Sequence, residues 1–251
     1  MKISVIIPAF NRERFIVPAL RSLARQRTDK IDLDIIVVDD GSTDGTAHAV
    51  TAFAEDAPFV RLVRKENGGP SSARNAGLKN LLPGTELIAF LDSDDICVDG
   101  RFAKEVPLFE TDPALGLTYA KLTICSALDD ERLEPAEGAK RETLRSVSVT
   151  TCLFRRAVLE RAGGFDETLI HAEDWDFLIR LFEQDVRYEL MDHVAILYRR
   201  HPGNMTKLVQ KGREYLKKVA LKSAFRRSRT HEKKPLPVFF DGSDLRDWDN
   251  K

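Results

Sequence analysis

Four short apolar runs in the first hundred residues, each separated from the next by a helical pattern, constrain this 251-residue chain more than any other feature. Ile3–Pro8, Ile35–Val38, Phe59–Val63 and Glu86–Leu91 read as runs and not as alternations, the pattern of strands buried on both faces. Residues 12–27 carry Phe15, Ile16, Ala19, Leu20 and Leu23 on one helical face. Ser42, Thr43 and Asp44 are N-cap candidates for a helix over about 44–56, and Gly68-Gly69-Pro70 breaks the chain before a helix at about 71–82. Such alternation predicts an α/β class with a doubly wound, mostly parallel sheet, whose ligands sit beyond the carboxyl ends of the strands. The second half is less regular. Strands are expected near 116–122, 148–154 and 194–199, and helices near 155–162 and 173–184. Residues 205–229 form a long basic helical pattern, and 235–251 an extended tail.

Every strand of the first half ends in polar residues that can face one cleft. These are Pro8-Ala9-Phe10-Asn11, Asp39-Asp40-Gly41-Ser42 and Asp92-Ser93-Asp94-Asp95, with Asn67, Ser72, Arg74 and Asn75 after the third strand. Polar residues also end strands and cap helices for purely structural reasons. So many carboxylates at one edge, however, would repel one another without a counter-charge. A hard divalent cation resolves this, because Mg²⁺ commonly sits between one or two carboxylates and substrate phosphates. Other phosphate cradles are missing. There is no G-x-x-x-x-G-K-[ST] loop, the first strand–helix turn has no G-x-G-x-x-G, and Gly41 and Gly45 have the wrong spacing for one.

Composition narrows the setting. With 43% hydrophobic and 31% charged residues the chain is an ordinary globular sequence, and no run approaches the roughly 20 apolar residues that span a bilayer. The opening MKISVIIPAF runs into Asn11-Arg12-Glu13-Arg14 without a cleavage site and reads as a strand, not a signal peptide. Cys97, Cys125 and Cys152 lack metal-ligand spacing and fit structural thiols in a reducing cytoplasm. The net charge of −1 hides an asymmetry: residues 207–234 hold eleven Lys/Arg against Glu214 and Glu232, so the preceding domain is acidic. This basic segment interleaves Leu208, Val209, Tyr215, Leu216, Val219, Leu221 and Phe225. It therefore suits either packing on the domain or attraction to anionic headgroups on the inner face of a membrane. Nucleic acid is disfavoured by the acidic remainder and the sparse aromatics.

The stretches SVIIPAFNRERFIVPALRSLARQ, IIVVDDGSTDGT, ENGGPSSARNAGL, LIAFLDSDD and GGFDETLIHAEDWDFLIRL, with the weaker LYRRHPGNMT, resemble family 2 inverting glycosyltransferases of the GT-A fold. The resemblance runs from residue 3 to about 206. It implies a glycosyltransferase domain over 1–206, with a nucleotide-binding half to about residue 100 and an acceptor half beyond. The 207–234 segment and the 235–251 tail would be appended to it. It further implies transfer from a nucleotide diphosphate sugar, UDP-linked for preference, to an acceptor hydroxyl, which a lipid could carry. Surface polysaccharide or glycan synthesis is the implied setting. Phe10 would lie against the base, Asp39 or Asp40 would accept from its edge, and Arg74 would contact base or phosphates. Asp92 would face the ribose, with Pro8, Asn11 and Ser93 completing the nucleotide-sugar site. Asp94 would coordinate Mn²⁺ or Mg²⁺, with His201 near the metal or phosphates. The Q-x-x-R-W motif of processive members is absent, which implies one sugar per encounter. Two other readings compete: a nucleotidyltransferase, which gives Asp174 no task, and a sugar-nucleotide-binding module without turnover.

Asp174 is the expected general base, matching the family's Glu-Asp pair with Glu173. Helical periodicity supports it independently. Asp174 shares a side with Leu178 and Leu181, whereas Glu173 falls with Asp176, Arg180 and Glu183 on the polar side. Acids in a first helical turn also complement the helix dipole, but that does not account for one on the inward face. Asp95, Asp99 and Asp166 are expected to be structural, Gly163-Gly164 to supply backbone freedom, and Trp175 to belong to the core.

Overall fold

The computed structural model describes residues 1–201, 203–204, 209–229 and 236–237. The first half forms as the apolar runs dictate: β1 (Lys2–Ala9), α1 (Ile16–Ala24), β2 (Asp32–Asp39), α2 (Thr46–Asp56), β3 (Val60–Arg64), α3 (Gly69–Lys79) and β4 (Leu87–Phe90). Then follow β5 (Ile96–Cys97), α4 (Arg101–Thr111), β6 (Leu117–Cys125), a small hairpin of β7 (Leu128–Asp129) and β8 (Glu134–Pro135), and β9 (Arg141–Leu144). A 3₁₀ turn at Val149–Thr151 leads into β10 (Cys152–Arg155), α5 (Arg156–Ala162), α6 (Glu173–Glu183), β11 (Tyr188–Arg199) and α7 (Val209–Ser228). Sequence periodicity missed α4, β5, β9 and the hairpin. The last three are too short, and α4 too polar, to carry a period of their own.

The main sheet runs β3-β2-β1-β4-β10-β6-β11-β5, with β9 also on β6. Strands β3, β2, β1 and β4 are parallel. β10 then pairs antiparallel with both β4 and β6, and β11 lies parallel to β6. The second half is thus a mixed extension of a parallel, doubly wound first half.

Alternate residues of each central strand feed two cores. Ile3, Val5, Ile7, Ile35 and Val37 pack with Ile16, Leu20, Phe102 and Val106 on one face. Ile6, Ile36, Val38, Ile88 and Phe90 pack with Ala73, Phe177, Leu178 and Leu181 on the other. At about 25 cal/mol per Å² such fully buried aliphatic side chains each contribute roughly 1.5–3 kcal/mol. Gly77 lets α3 lie close on β1, since a Cβ there would come 2.4 Å from Ile6 Cγ2. The three cysteines are free and buried, and burial pushes the Cys97 and Cys125 thiols up to about 11. That fits the structural reading of these thiols.

α7 docks on α6 along the side that periodicity marks as polar. Asp176, 2% exposed, pairs with Arg180 at 2.9 Å and with Arg226 at 3.2 Å, and Arg226 also reaches Glu183 at 2.7 Å. Val219 is buried in the core and Ser223 donates to Glu183. The expectation that Asp174 is the only acid of α6 turned inward is therefore corrected. The polar side is covered by a basic helix, which supplies the counter-charges that let Asp176 be buried. The upstream part of the basic pattern, at 205–208, and the acidic tail lie outside the described residues, apart from Leu236 and Pro237.

Candidate active site

The carboxyl ends of β1, β2 and β4 and the N-terminus of α6 enclose a cleft of about 640 Å³, a size that suits a nucleotide-sized ligand. Pro8, Phe10, Asp40, Arg74, Asp92, Ser93, Asp94 and Asp174 line it, joined by Arg12, Ser148, Glu173 and Trp175. Phe10 is 44% exposed at its wall, an aromatic face open for stacking.

Two residues expected in the nucleotide site hold loops instead. The Asp39 carboxylate accepts from Ser42 N at 2.9 Å and Arg64 Nε at 3.2 Å, fixing the turn after β2. Asn11, at φ +53°, accepts from Thr43 N through its side chain and donates its backbone N–H to Ser42 Oγ, tying the β1 turn to the β2 turn. Neither is among the cleft-lining residues. Asp40 faces the cleft, and its carboxylate accepts from Lys65 Nζ at 2.7 Å and from the amides of Gly68 and Gly69. The loop before α3 is thereby docked onto the end of β2.

Arg74 is the electrostatic hub. It is 3% exposed and reaches Asp92 at 3.0 Å, Glu173 at 2.9 Å and Asp174 at 3.2 Å. Burial would lower its pKa, but the charges of Asp174, Asp92 and Glu173 outweigh that and raise it. With three carboxylates around it, this guanidinium organises acids. Glu173, expected on the polar side, is thus drawn into the cleft. Its location follows from Arg74, a residue far along the chain that helical periodicity ignores.

Asp174 is held from behind. Its Oδ2 accepts from Val149 N at 3.0 Å and Ser148 Oγ at 3.2 Å, while Oδ1 lies near Arg74 without hydrogen-bond geometry and has no other partner. Burial raises its pKa, Arg74 pulls it back, the Glu173 charge pushes it up, and the net is a rise. Asp92 is raised as well, by burial against the pull of Arg74 and with the push of Asp174 and Asp94. Ala172, just before α6, adopts φ +60°, a left-handed conformation that costs a non-glycine residue about 1–2 kcal/mol. This strain sits at the entry to Glu173 and Asp174. Trp175 is half-buried: it packs against the second core, as expected, and also lines the cleft.

Asp94 behaves differently. Burial would raise it, but the hydrogen bond from His201 and the Arg12 charge bring it below the ordinary value. Its Oδ2 lies 2.9 Å from His201 Nε2 and 3.2 Å from Arg12 Nε. His201 Nδ1 accepts from Gly203 N at 3.1 Å, so Nε2 carries the proton that points at Asp94. The imidazole stacks on Phe15 with centroids 5.2 Å apart. Beneath, Asp95 is 1% exposed. Burial and its two acidic neighbours hold it well above the ordinary value, while Arg199 N donates to Oδ1 and Oδ2 has no partner.

Five carboxylates line the cleft against two guanidiniums, so an entering diphosphate needs further positive charge. The Asp94 carboxylate fits a divalent ion as it stands, and His201 would fit one through Nε2 only once its proton has moved to Nδ1 and the Gly203 contact is given up. Carboxylate oxygen and imidazole nitrogen also suit Mn²⁺ or Mg²⁺ chemically. Among the described residues no third His, Cys, Asp or Glu joins Asp94 and His201 in a metal-holding group.

Arg12, Ser148, Val149 and Glu173 escaped sequence reasoning as site residues. Arg12 directly follows a strand end already singled out, and that was the available signal. Ser148 and Val149 act through a side chain and an amide where a strand was expected from 148; a 3₁₀ turn at Val149–Thr151 stands there instead and the strand begins at Cys152.

Comparisons with known proteins bear on the family and the fold. The profile of "Glycosyl transferase family 2" matches residues 4–161, and that of "Glycosyltransferase like family 2" matches 136–232. The chain is 31% identical over 224 residues to an uncharacterized glycosyltransferase, EpsJ, of Bacillus subtilis, covering 83% of this chain and 64% of EpsJ. It is 26% identical over 210 residues to the minor teichoic acid biosynthesis protein GgaA of the same organism, covering 78% of this chain and 47% of GgaA. The chain thus spans less than two thirds of these curated relatives. Among solved structures, residues 1–349 of Staphylococcus aureus TarS in complex with UDP superpose with a TM-score of 0.70 at 25% identity, covering 93% of this chain and 67% of that one. A mannosyltransferase of Pyrobaculum calidifontis, in complex with GDP-Man and Mn²⁺, has a TM-score of 0.69 at 23% identity over 95% of this chain and 66% of that one, and shares the GT-A fold.

Proposed function

Because the chain belongs to glycosyl transferase family 2, we propose that it moves a sugar from a nucleotide diphosphate sugar, UDP-linked for preference, to an acceptor hydroxyl. One in-line displacement would invert the anomeric carbon. A surface polymer or glycan is the proposed product, and the cytoplasmic side of the cell the proposed location. The observation that carries this reading is the division of labour within one cleft. Asp94 is kept ionised beside His201, while Asp174 is raised and desolvated on the facing helix, and Arg74 bridges from Asp92 to Asp174. Pairs of acids whose environments push their proton affinities apart are the signature of distinct acid–base roles.

Each residue then has a task. Phe10 stacks on the base, and the Asp40 carboxylate accepts from its edge. Asp92 receives the ribose. Asp94 and His201 would hold Mn²⁺ or Mg²⁺, which supplies charge to the departing diphosphate. Arg12, hydrogen-bonded to Asp94, adds a fixed cation on the same side. Asp174 takes the acceptor's proton as its oxygen attacks. Ser148 and Val149 hold one carboxylate oxygen, and Oδ1 remains to receive that proton. A nucleotidyltransferase would give this clamped carboxylate nothing to do.

The test is a thermal-shift panel of UDP, GDP and their sugars with and without Mn²⁺, followed by turnover with the best donor. A metal-dependent shift with a nucleotide diphosphate, then transfer or slow hydrolysis of the donor, is expected. Binding without either reaction would favour a non-catalytic module, and no shift with any nucleotide would overturn the donor site.

A further inference from the structure

We propose that the outward face of α7 docks on the surface of an anionic lipid bilayer. The helix has two unlike sides. Its inner side is committed to the protein, through Val219, Ser223 and Arg226 on α6 and Leu216 in the cleft wall. Its outer side carries Lys217 and Lys218, then Leu221 and Phe225 one turn apart, then Arg229, all exposed. Leu221 is 72% and Phe225 58% exposed, although residues of this size are normally kept from water where the fold can cover them.

Charge surrounds these two side chains. Arg229 stacks its guanidinium on the Phe225 ring at 4.2 Å, and Lys218 lies over the Tyr215 ring at 4.5 Å. The cationic heads thus stand at the level of the apolar groups, the arrangement in which a helix rests in an interface with rings among acyl chains and amines among phosphates. Glu214 is the one acid in α7 among the described residues, so this side is basic while the remaining domain is acidic. The charge complement is therefore an anionic sheet that meets α7 alone. Leu216, on the inner side of the same helix, lines the cleft, so docking would hold the cleft about one helix width, roughly 10 Å, from the bilayer that would carry a lipid-borne acceptor.

The experiment is co-sedimentation of the full chain with phosphatidylcholine vesicles and with vesicles containing phosphatidylglycerol, at about 0.1 M salt, where the screening length is about 10 Å. Pelleting with the anionic vesicles only is expected, weakening as salt rises. Each lysine at a bilayer surface changes partitioning about fivefold, so Lys217→Ala with Lys218→Ala should lower it roughly twenty-fivefold. Leu221→Ser with Phe225→Ser should lower it at least about tenfold. Lys104→Ala, on exposed α4 surface, should leave it unchanged. These side chains are exposed, and matching circular dichroism of the variants would establish that the fold is intact. Equal pelleting with both vesicle types, or equal pelleting of wild type and α7 variants, would overturn the proposal. So would self-association without lipid that Phe225→Ser abolishes, or retention on single-stranded DNA in place of vesicles. The nucleotide panel is read separately, so failure here leaves the donor site standing, and the reverse holds too.

Discussion

Replacing Arg74 by methionine should unfold the cleft in a pH-dependent way. The guanidinium is 3% exposed and compensates Asp92, Glu173 and Asp174 at 2.9–3.2 Å. Breaking a buried ion cluster from one side costs about 3–5 kcal/mol, because the partners are left charged and desolvated. That is a large share of the roughly 5–15 kcal/mol that holds a domain together. The loss should shrink on acidification. Asp92 and Asp174 already bind protons more tightly folded than unfolded, and without Arg74 this preference grows. A native state that binds more protons than the unfolded state loses stability as pH rises. The stabilisation by the proton is therefore complete below the ordinary aspartate value of 3.8 and is lost as pH rises through the raised folded values. Urea unfolding of wild type and Arg74→Met, followed by fluorescence of Trp175, should give a difference of about 3–5 kcal/mol at pH 8. At pH 5 it should be smaller by at least about 1.4 kcal/mol, the value of one unit of pKa. Adding Glu173→Gln should recover part of the loss. A difference below about 1 kcal/mol that is the same at both pH values would refute the hub.

Other outcomes follow from the same geometry. Asp174→Asn should lower kcat by about 10²–10⁴, the range of general base catalysis, while the nucleotide thermal shift persists. Asp94→Ala should remove the metal-dependent part of that shift, worth about 2.7 kcal/mol at a hundredfold excess of ligand over Kd. Phe10→Ala should weaken UDP binding by about 1–3 kcal/mol in calorimetry if the base stacks there. Ala172→Gly should raise thermal stability by roughly 0.5–1 kcal/mol, since relief of the left-handed strain exceeds the entropy cost of glycine.

The first half of the fold was legible because parallel strands must be apolar on both faces, and Ile35–Val38 is the middle of a strand that runs Asp32–Asp39. The strand ends pointed to the cleft because nothing else concentrates Asp40, Asp92 and Asp94. What stayed hidden depends on partners distant in sequence. Asp39 and Asp40 are adjacent and chemically alike, yet one is turned to Arg64 and the other to the Gly68 and Gly69 amides. Only the alternation of a strand, fixed in register by its neighbours, decides between them. The burial of Asp176 required Arg226, fifty residues on, and no local pattern announces that pair. Gly164 shows the same limit. It reads as backbone freedom, but a Cβ there would come 2.5 Å from Asn75 Oδ1, whose amide group clamps Phe165 from both sides.

The antiparallel strand in the middle of the sheet bears on how the chain is made. β4 pairs with β1 through one edge and with β10 through the other, and β10 follows about sixty residues later. At a synthesis rate of about 5–20 residues per second, that edge leaves the ribosome unsealed for roughly 3–12 s. It consists of Leu-Ile-Ala-Phe, an uncharged apolar strand of the kind that pairs with any exposed edge it meets. The seconds before Cys152–Arg155 arrives are therefore when this protein most needs a holding chaperone, and slower translation of residues 91–151 should lower its soluble yield.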